Sequence, residues 1–151
     1  MRVVIQRVNT AAVKVNNDII SSINDGLLLL IGFEAEETTA DMQWLANKII
    51  NLRIFNDNNG LMNLSVADIN GDILVVSQFT LYAWTKKGNR PSFSRAASYE
   101  IGEKYYNAFL EILQNSFHKI IFTGIFGANM QIDLVNDGPV TIFMDTKNKD
   151  F

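Results

Sequence analysis

Four short apolar runs, Val3 to Val8, Ala12 to Val15, Ile19 to Ile23 and Leu27 to Ile31, fill the first 31 residues of the chain. Asn16-Asn17-Asp18 and Asn24-Asp25-Gly26 break them up, and these residue types tolerate the left-handed backbone of tight hairpin turns. None of the runs reaches the length of a helical segment, so the opening reads as an antiparallel meander. With 151 residues in all, the chain is long enough to bury a single core and too short to favour two.

The period then changes. Thr38 or Thr39 is placed to cap a helix whose apolar positions Met42, Leu45, Ala46, Ile49 and Ile50 recur at helical spacing. Arg53-Ile54-Phe55, a turn at Asn56-Asp57-Asn58-Asn59-Gly60 and Leu61-Met62-Asn63-Leu64 follow. After Asn70-Gly71 comes Ile73-Leu74-Val75-Val76, an apolar run without alternation that reads as a fully buried strand. A second helix is expected from near Ser98 to Asn115 or Ser116, with Ile101, Tyr105, Ala108, Phe109, Ile112 and Leu113 as its inner face. His118 lies just past its end, as a capping or surface residue. Strands return at Met130 to Val135 and Val140 to Met144, separated by a turn at Asn136-Asp137-Gly138, and Lys147-Asn148-Lys149-Asp150 reads as a frayed tail. The expected fold is α+β: one domain over residues 1–151, a largely antiparallel or mixed sheet, and two covering helices.

Composition removes several classes of function. There is no cysteine, which excludes a disulfide framework and thiolate metal sites, and no metal or cofactor is expected. The N-terminus lacks the apolar core of a signal peptide and no apolar run could cross a bilayer, so the expected location is cytoplasmic with no membrane partner. A net charge of −3 argues against a general nucleic-acid coat. One local exception stands out. Between Trp84 and Arg95 the chain carries Lys86, Lys87, Arg90 and Arg95 and no acid, with Trp84 and Phe93 bracketing three of the charges. Such a loop either docks a polyanion, with rings available for stacking, or is a solvated surface loop.

Chemistry is most concentrated in Ser77-Gln78-Phe79-Thr80, which follows the buried strand directly. Polar side chains at a strand terminus either satisfy one another as a turn or form a site. The single histidine is remote in sequence, so no local motif supplies a base. If this is a site, backbone N–H groups aimed at a developing oxyanion must do the work, with water or the substrate handling the proton. Gly138-Pro139 is the other anomaly, either a trans proline starting an edge strand or a candidate cis peptide.

Four segments taken together resemble the D-aminoacyl-tRNA deacylase family, of the D-tyrosyl-tRNA(Tyr) deacylase type: Ser77-Gln78-Phe79-Thr80-Leu81, Lys87-Gly88-Asn89-Arg90-Pro91-Ser92-Phe93, Phe126-Gly127-Ala128-Asn129-Met130 and Asn136-Asp137-Gly138-Pro139-Val140-Thr141. Val4-Ile5-Gln6-Arg7-Val8, Arg53-Ile54-Phe55 and Met62-Asn63-Leu64 extend the likeness nearly end to end. The resemblance implies a barrel-like sheet, a homodimer with its active site at the subunit interface, and hydrolysis of the ester between a D-amino acid, or glycine, and the terminal adenosine of tRNA. It assigns oxyanion stabilisation to the amides near Phe79 and Thr80, placement of the adenosine end to Gln78 and Ser77, the pocket wall to Met130, and tRNA phosphates to Lys86, Lys87, Arg90 and Arg95. Gly138-Pro139 would be cis, inserted into the other subunit's pocket and exclusive of L-amino acids. The implied partners are aminoacyl-tRNA and a second copy of the chain, without DNA.

Two positions depart from the family's pattern. Trp84 stands where an acidic residue is expected after Ala83, and the second helix lacks the usual proline at its start. Two other readings compete: an RNA-binding dimer without hydrolysis, and a small-molecule esterase with Thr80 as nucleophile. A hydrophobic content of 48% against 19% charged residues favours self-association independently.

Overall fold

The computed structural model describes residues 1–150. Its scaffold is one long strand, β1 (Arg2–Val15), whose alternating burial puts Val3, Ile5, Ala11 and Val13 inside. Because β1 is about twice the length of each of the next two strands, both fit end to end along one of its edges. β2 (Asp18–Ile23) pairs antiparallel with Ala11 to Val15, and β3 (Gly26–Gly32) pairs antiparallel with Arg2 to Val8. The last strand, β8 (Gln131–Asp145), runs antiparallel along the whole opposite edge.

From β3 the sheet continues through parallel pairings to β6 (Asp72–Ser77) and β7 (Ile121–Thr123). Ser21 Oγ of β2 donates to the Thr123 carbonyl of β7 at 2.6 Å, and the mixed sheet curls into a nearly closed barrel. A small hairpin, β4 (Phe55–Asn56) with β5 (Met62–Leu64), lies apart from it.

Helices α1 (Thr39–Asn51) and α2 (Tyr99–Ser116) cover one face. Leu27, Leu29, Ile31, Ile73 and Val75 meet them in the larger core, whereas Leu28, Leu74 and Val76 point into a second cluster with Val8, Val13 and Ile23. Burial on both faces is why β3 and β6 read as unbroken apolar runs. Thr38 caps α1, its Oγ1 accepting from the Asp41 N–H at 3.1 Å, and all five expected apolar positions of this helix are buried.

Several local expectations are corrected. Val3 to Val8 and Ala12 to Val15 belong to one strand, and Asn24-Asp25-Gly26 joins two collinear strands that do not pair with each other, so it is no hairpin turn. Asn136-Asp137-Gly138 is not a turn either. It lies inside β8, where the register against β1 shifts between Gln6 and Val8 and again between Val8 and Thr10, and the extra residues are absorbed as a bulge. In α2 the buried stripe is Gly102, Tyr106, Phe109 and Leu113; Phe126 packs at Gly102, which rotates Ile101 outward to 39% exposure and leaves Tyr105, Ala108 and Ile112 at the flank. His118 is exposed, as expected, with Nε2 3.1 Å from Asn70 Oδ1. The tail is tied down: Lys147 and Lys149 each lie 3.4 Å from an Asp41 carboxylate oxygen, and Lys149 sits over the Trp44 ring.

Candidate active site

At the end of β6 the ladder runs one step past Ser77, the Gln78 N–H donating to the Ile31 carbonyl at 2.7 Å. The backbone then tightens into a 3₁₀ turn over Phe79–Tyr82, closed by Leu81 N–H to Gln78 O at 3.3 Å and Ala83 N–H to Thr80 O at 3.0 Å. The turn rests on Gly32. A Cβ there would stand 2.7 Å from the Gln78 carbonyl oxygen, so the close approach requires glycine.

The opening N–H groups of such a turn have no acceptor within it. Those of Phe79 and Thr80 have none among the described residues. They sit beside a cavity of about 500 Å³ walled by Ser77, Gln78 and Phe79 on one side and by Tyr99, Phe126 and Met130 on another.

Of the residues singled out in the sequence, Ser77, Gln78, Phe79 and Met130 are brought together in this cavity. Thr80 does not line it; its hydroxyl accepts a short hydrogen bond from Gln78 Nε2, which fixes the amide's orientation. Gly138 and Pro139 do not line it either. Their peptide bond is cis, both residues are exposed, and they lie over Arg7. Lys86, Lys87, Arg90 and Arg95 stand outside the cavity on the exposed loop that follows the turn. The loop returns to the cavity mouth through Phe93, whose ring meets Phe79 edge-on at 5.1 Å. Arg95 differs from the other three cations, because its guanidinium pairs with Glu34 at 2.6 Å.

Four positions that shape these surroundings were given no site role in the sequence reading. Tyr99 and Phe126 form an aromatic wall, with ring centroids 5.3 Å apart and Phe126 stacked on towards buried Tyr106. Gly32 seats the turn. Arg7 is 5% exposed, donates to Ile54 O, and pairs through Nε with the Asp137 carboxylate at 2.9 Å, directly beneath Gly138. A lone charge at an inward position of an alternating strand was the available signal for it.

Electrostatically the cavity is bare: its lining holds no carboxylate, ammonium, guanidinium or imidazole, and Tyr99 is its sole titratable group. Tyr82, which ends the turn, is buried without a hydroxyl partner among the described residues. Desolvation, followed by Glu37, Glu34 and Asp145, pushes its phenol well above the usual range, partly opposed by Arg2, whose guanidinium lies 4.6 Å from the ring centre. A phenol held neutral in this way is no base. No group of three or more His, Asp or Glu able to hold a metal ion gathers among the described residues. With no acid or base beyond Tyr99 in its lining, the site can offer unpartnered backbone N–H groups to a developing negative charge and no carboxylate, ammonium or imidazole for proton transfer.

Comparison with known proteins places the chain in a family. A family model described as D-Tyr-tRNA(Tyr) deacylase matches residues 4–145. The D-aminoacyl-tRNA deacylase of Flavobacterium psychrophilum is 55% identical over 150 residues, covering 99% of this chain and 100% of that protein. That of Flavobacterium johnsoniae is 53% identical with the same coverage. Among solved structures, the c-Myc DNA unwinding element binding protein superposes with a TM-score of 0.91 at 43% identity, covering 96% of this chain and 98% of the other.

Proposed function

Because the chain belongs to the D-Tyr-tRNA(Tyr) deacylase family and is a hydrolase acting on aminoacyl-tRNA, we propose that its cavity cleaves D-aminoacyl and glycyl esters of the terminal adenosine and refuses L-aminoacyl esters. The observation that carries this reading is the pair of unpartnered amides of Phe79 and Thr80, in the turn that borders a cavity with no carboxylate, ammonium, guanidinium or imidazole in its lining.

In this account the ester carbonyl oxygen lies against those two N–H groups, which meet the negative charge as it develops. Water adds to the carbonyl carbon, the bond to the ribose oxygen breaks, and that oxygen takes the proton, releasing the amino acid and an intact 3′ end. The neighbouring ribose hydroxyl orients the water and relays its proton. Gln78 and Ser77 hold the adenosine end, Met130 closes one wall, and orientation supplies much of the rate. That hydroxyl also decides between RNA and DNA. The solved relative carries a name that refers to DNA, but a deoxyribose would lack the group that the bare cavity needs.

Handedness is assigned to Gly138 and Pro139 of a second copy. Exposed and absent from their own cavity, they are free to enter another chain's, where backbone carbonyls hold the substrate's α-ammonium and the ring blocks a side chain on the L side. The working unit is then a homodimer with its site at the interface. Lys86, Lys87 and Arg90 face solvent without ion pairs among the described residues and take tRNA phosphates, with Arg95 at the edge of the set. Among the described residues no helix is long and apolar enough to cross a membrane. The proposed role is chiral proofreading in the cytoplasm.

The test uses D-aminoacyl-tRNA and a simple D-amino-acid ester. Release from the tRNA alone supports the reading, binding without release makes the protein an RNA-binding dimer, and cleavage of the simple ester makes it a small-molecule esterase. Two further outcomes separate the mechanism from a nucleophilic one. Thr80→Val is expected to retain kcat within about tenfold, because it removes a hydroxyl that orients Gln78 and no bond-forming atom; an acyl group trapped on wild-type Thr80 would reverse this. His118→Asn is also expected to leave kcat/KM within about twofold, because His118 lies outside the cavity.

A further inference from the structure

Trp84 is 54% exposed and its ring has no aromatic or cationic partner among the described residues. It is nevertheless held at a fixed place. Its N–H donates to the Ser92 carbonyl at 2.7 Å and its carbonyl accepts from the Ser92 N–H at 3.1 Å, so the two residues clamp the base of the basic loop. One side of the clamp continues from the 3₁₀ turn through Ala83, and the other continues into Phe93, whose ring is already engaged with Phe79. On the outer side of the clamp lie Lys86, Lys87 and Arg90, with no carboxylate paired to them. A large apolar ring left open to water costs free energy, and one mounted between a cavity for a nucleotide ester and three uncompensated cations has a natural occupant. We propose that Trp84 stacks on an unpaired base of the tRNA's single-stranded 3′ end while Lys86, Lys87 and Arg90 hold the adjoining phosphates, so that the strand is drawn over Phe93 and Phe79 into the cavity.

The inference rests on the aminoacyl-tRNA reading and adds a residue to it. Trp84 binds the RNA and has no part in the bond changes, so it acts on binding alone. Such stacking requires no particular sequence, since every base presents a π-face.

The experiment is done on the full chain carrying Trp44→Phe, which leaves Trp84 as the sole indole fluorophore. Trp44 lies on α1 beneath Lys149, away from the cavity. Titration with uncharged tRNA is expected to quench the emission, and titration with the same tRNA trimmed of its unpaired 3′ residues is not. Trp84→Ala is expected to raise the KM for D-aminoacyl-tRNA about tenfold with kcat unchanged, and Trp84→Phe to recover most of the loss. An unchanged KM in Trp84→Ala overturns the proposal, as does equal quenching by trimmed tRNA. So does an emission that tracks protein concentration alone, which would mean that a second copy covers the ring. Quenching without hydrolysis by the parent protein would sink the deacylase reading and leave this one standing; normal hydrolysis with an indifferent Trp84→Ala would do the reverse.

Discussion

Phe79→Pro is expected to lower kcat/KM for a D-aminoacyl-tRNA by about 100- to 1,000-fold, the usual cost of deleting one oxyanion donor, while Phe79→Ala costs far less. Proline removes the N–H together with the aromatic ring, and the backbone at this position can accept it. Phe79 opens the 3₁₀ turn, where a fixed helical φ is tolerated and the N–H has no acceptor within the turn, and Gln78 before it lies outside the helical region at φ −144° and ψ 81°. The alanine variant controls for the ring, including its edge contact with Phe93. Single-turnover hydrolysis separates the two, because the amide acts on the chemical step and the ring on placement. Equal losses in the two variants would move the chemistry away from the backbone.

Gly138→Val is expected to cost about 100-fold in kcat/KM for the D-ester, as a small displacement of a positioning group does, and to let L-ester hydrolysis rise. Gly138 has φ +110°, a region closed to a branched side chain, and a Cβ there would stand 2.4 Å from Arg7 Nη2. The guanidinium cannot step aside cheaply: it is 5% exposed, tied to Ile54 O and ion-paired with Asp137, and pulling it out would strand a buried charge. The main chain at Gly138 and Pro139 must therefore move. A melting curve measured alongside shows whether the fold survives, and an unchanged ratio of D to L hydrolysis in a folded variant would remove Gly138 from the filter.

Features set by local sequence were legible in advance. A threonine cap on α1 at position 38 or 39, the span of α2, and the two-sided burial of Ile73 to Val76 depend on neighbours a few residues apart. Ser77 and Gln78 stood out too, because polar residues at the end of an apolar strand have few places to go, and both line the cavity. Relations between distant segments were not legible. Asn24-Asp25-Gly26 carries the same residue signal whether the next strand folds back or runs on, and only the length of β1 decides. Arg7 and Asp137 are 130 positions apart, so nothing near either one announces their pairing. Met130 and Gly138-Pro139 became site candidates only through resemblance, since a methionine or a Gly-Pro pair has no pattern of its own.

The account comes down to one comparison: initial rates for a single tRNA charged with either enantiomer of one amino acid, with wild-type protein at subsaturating substrate. It predicts rapid release of the D-amino acid and loss of the L-amino acid no faster than without protein. Equal rates for the two enantiomers would contradict it.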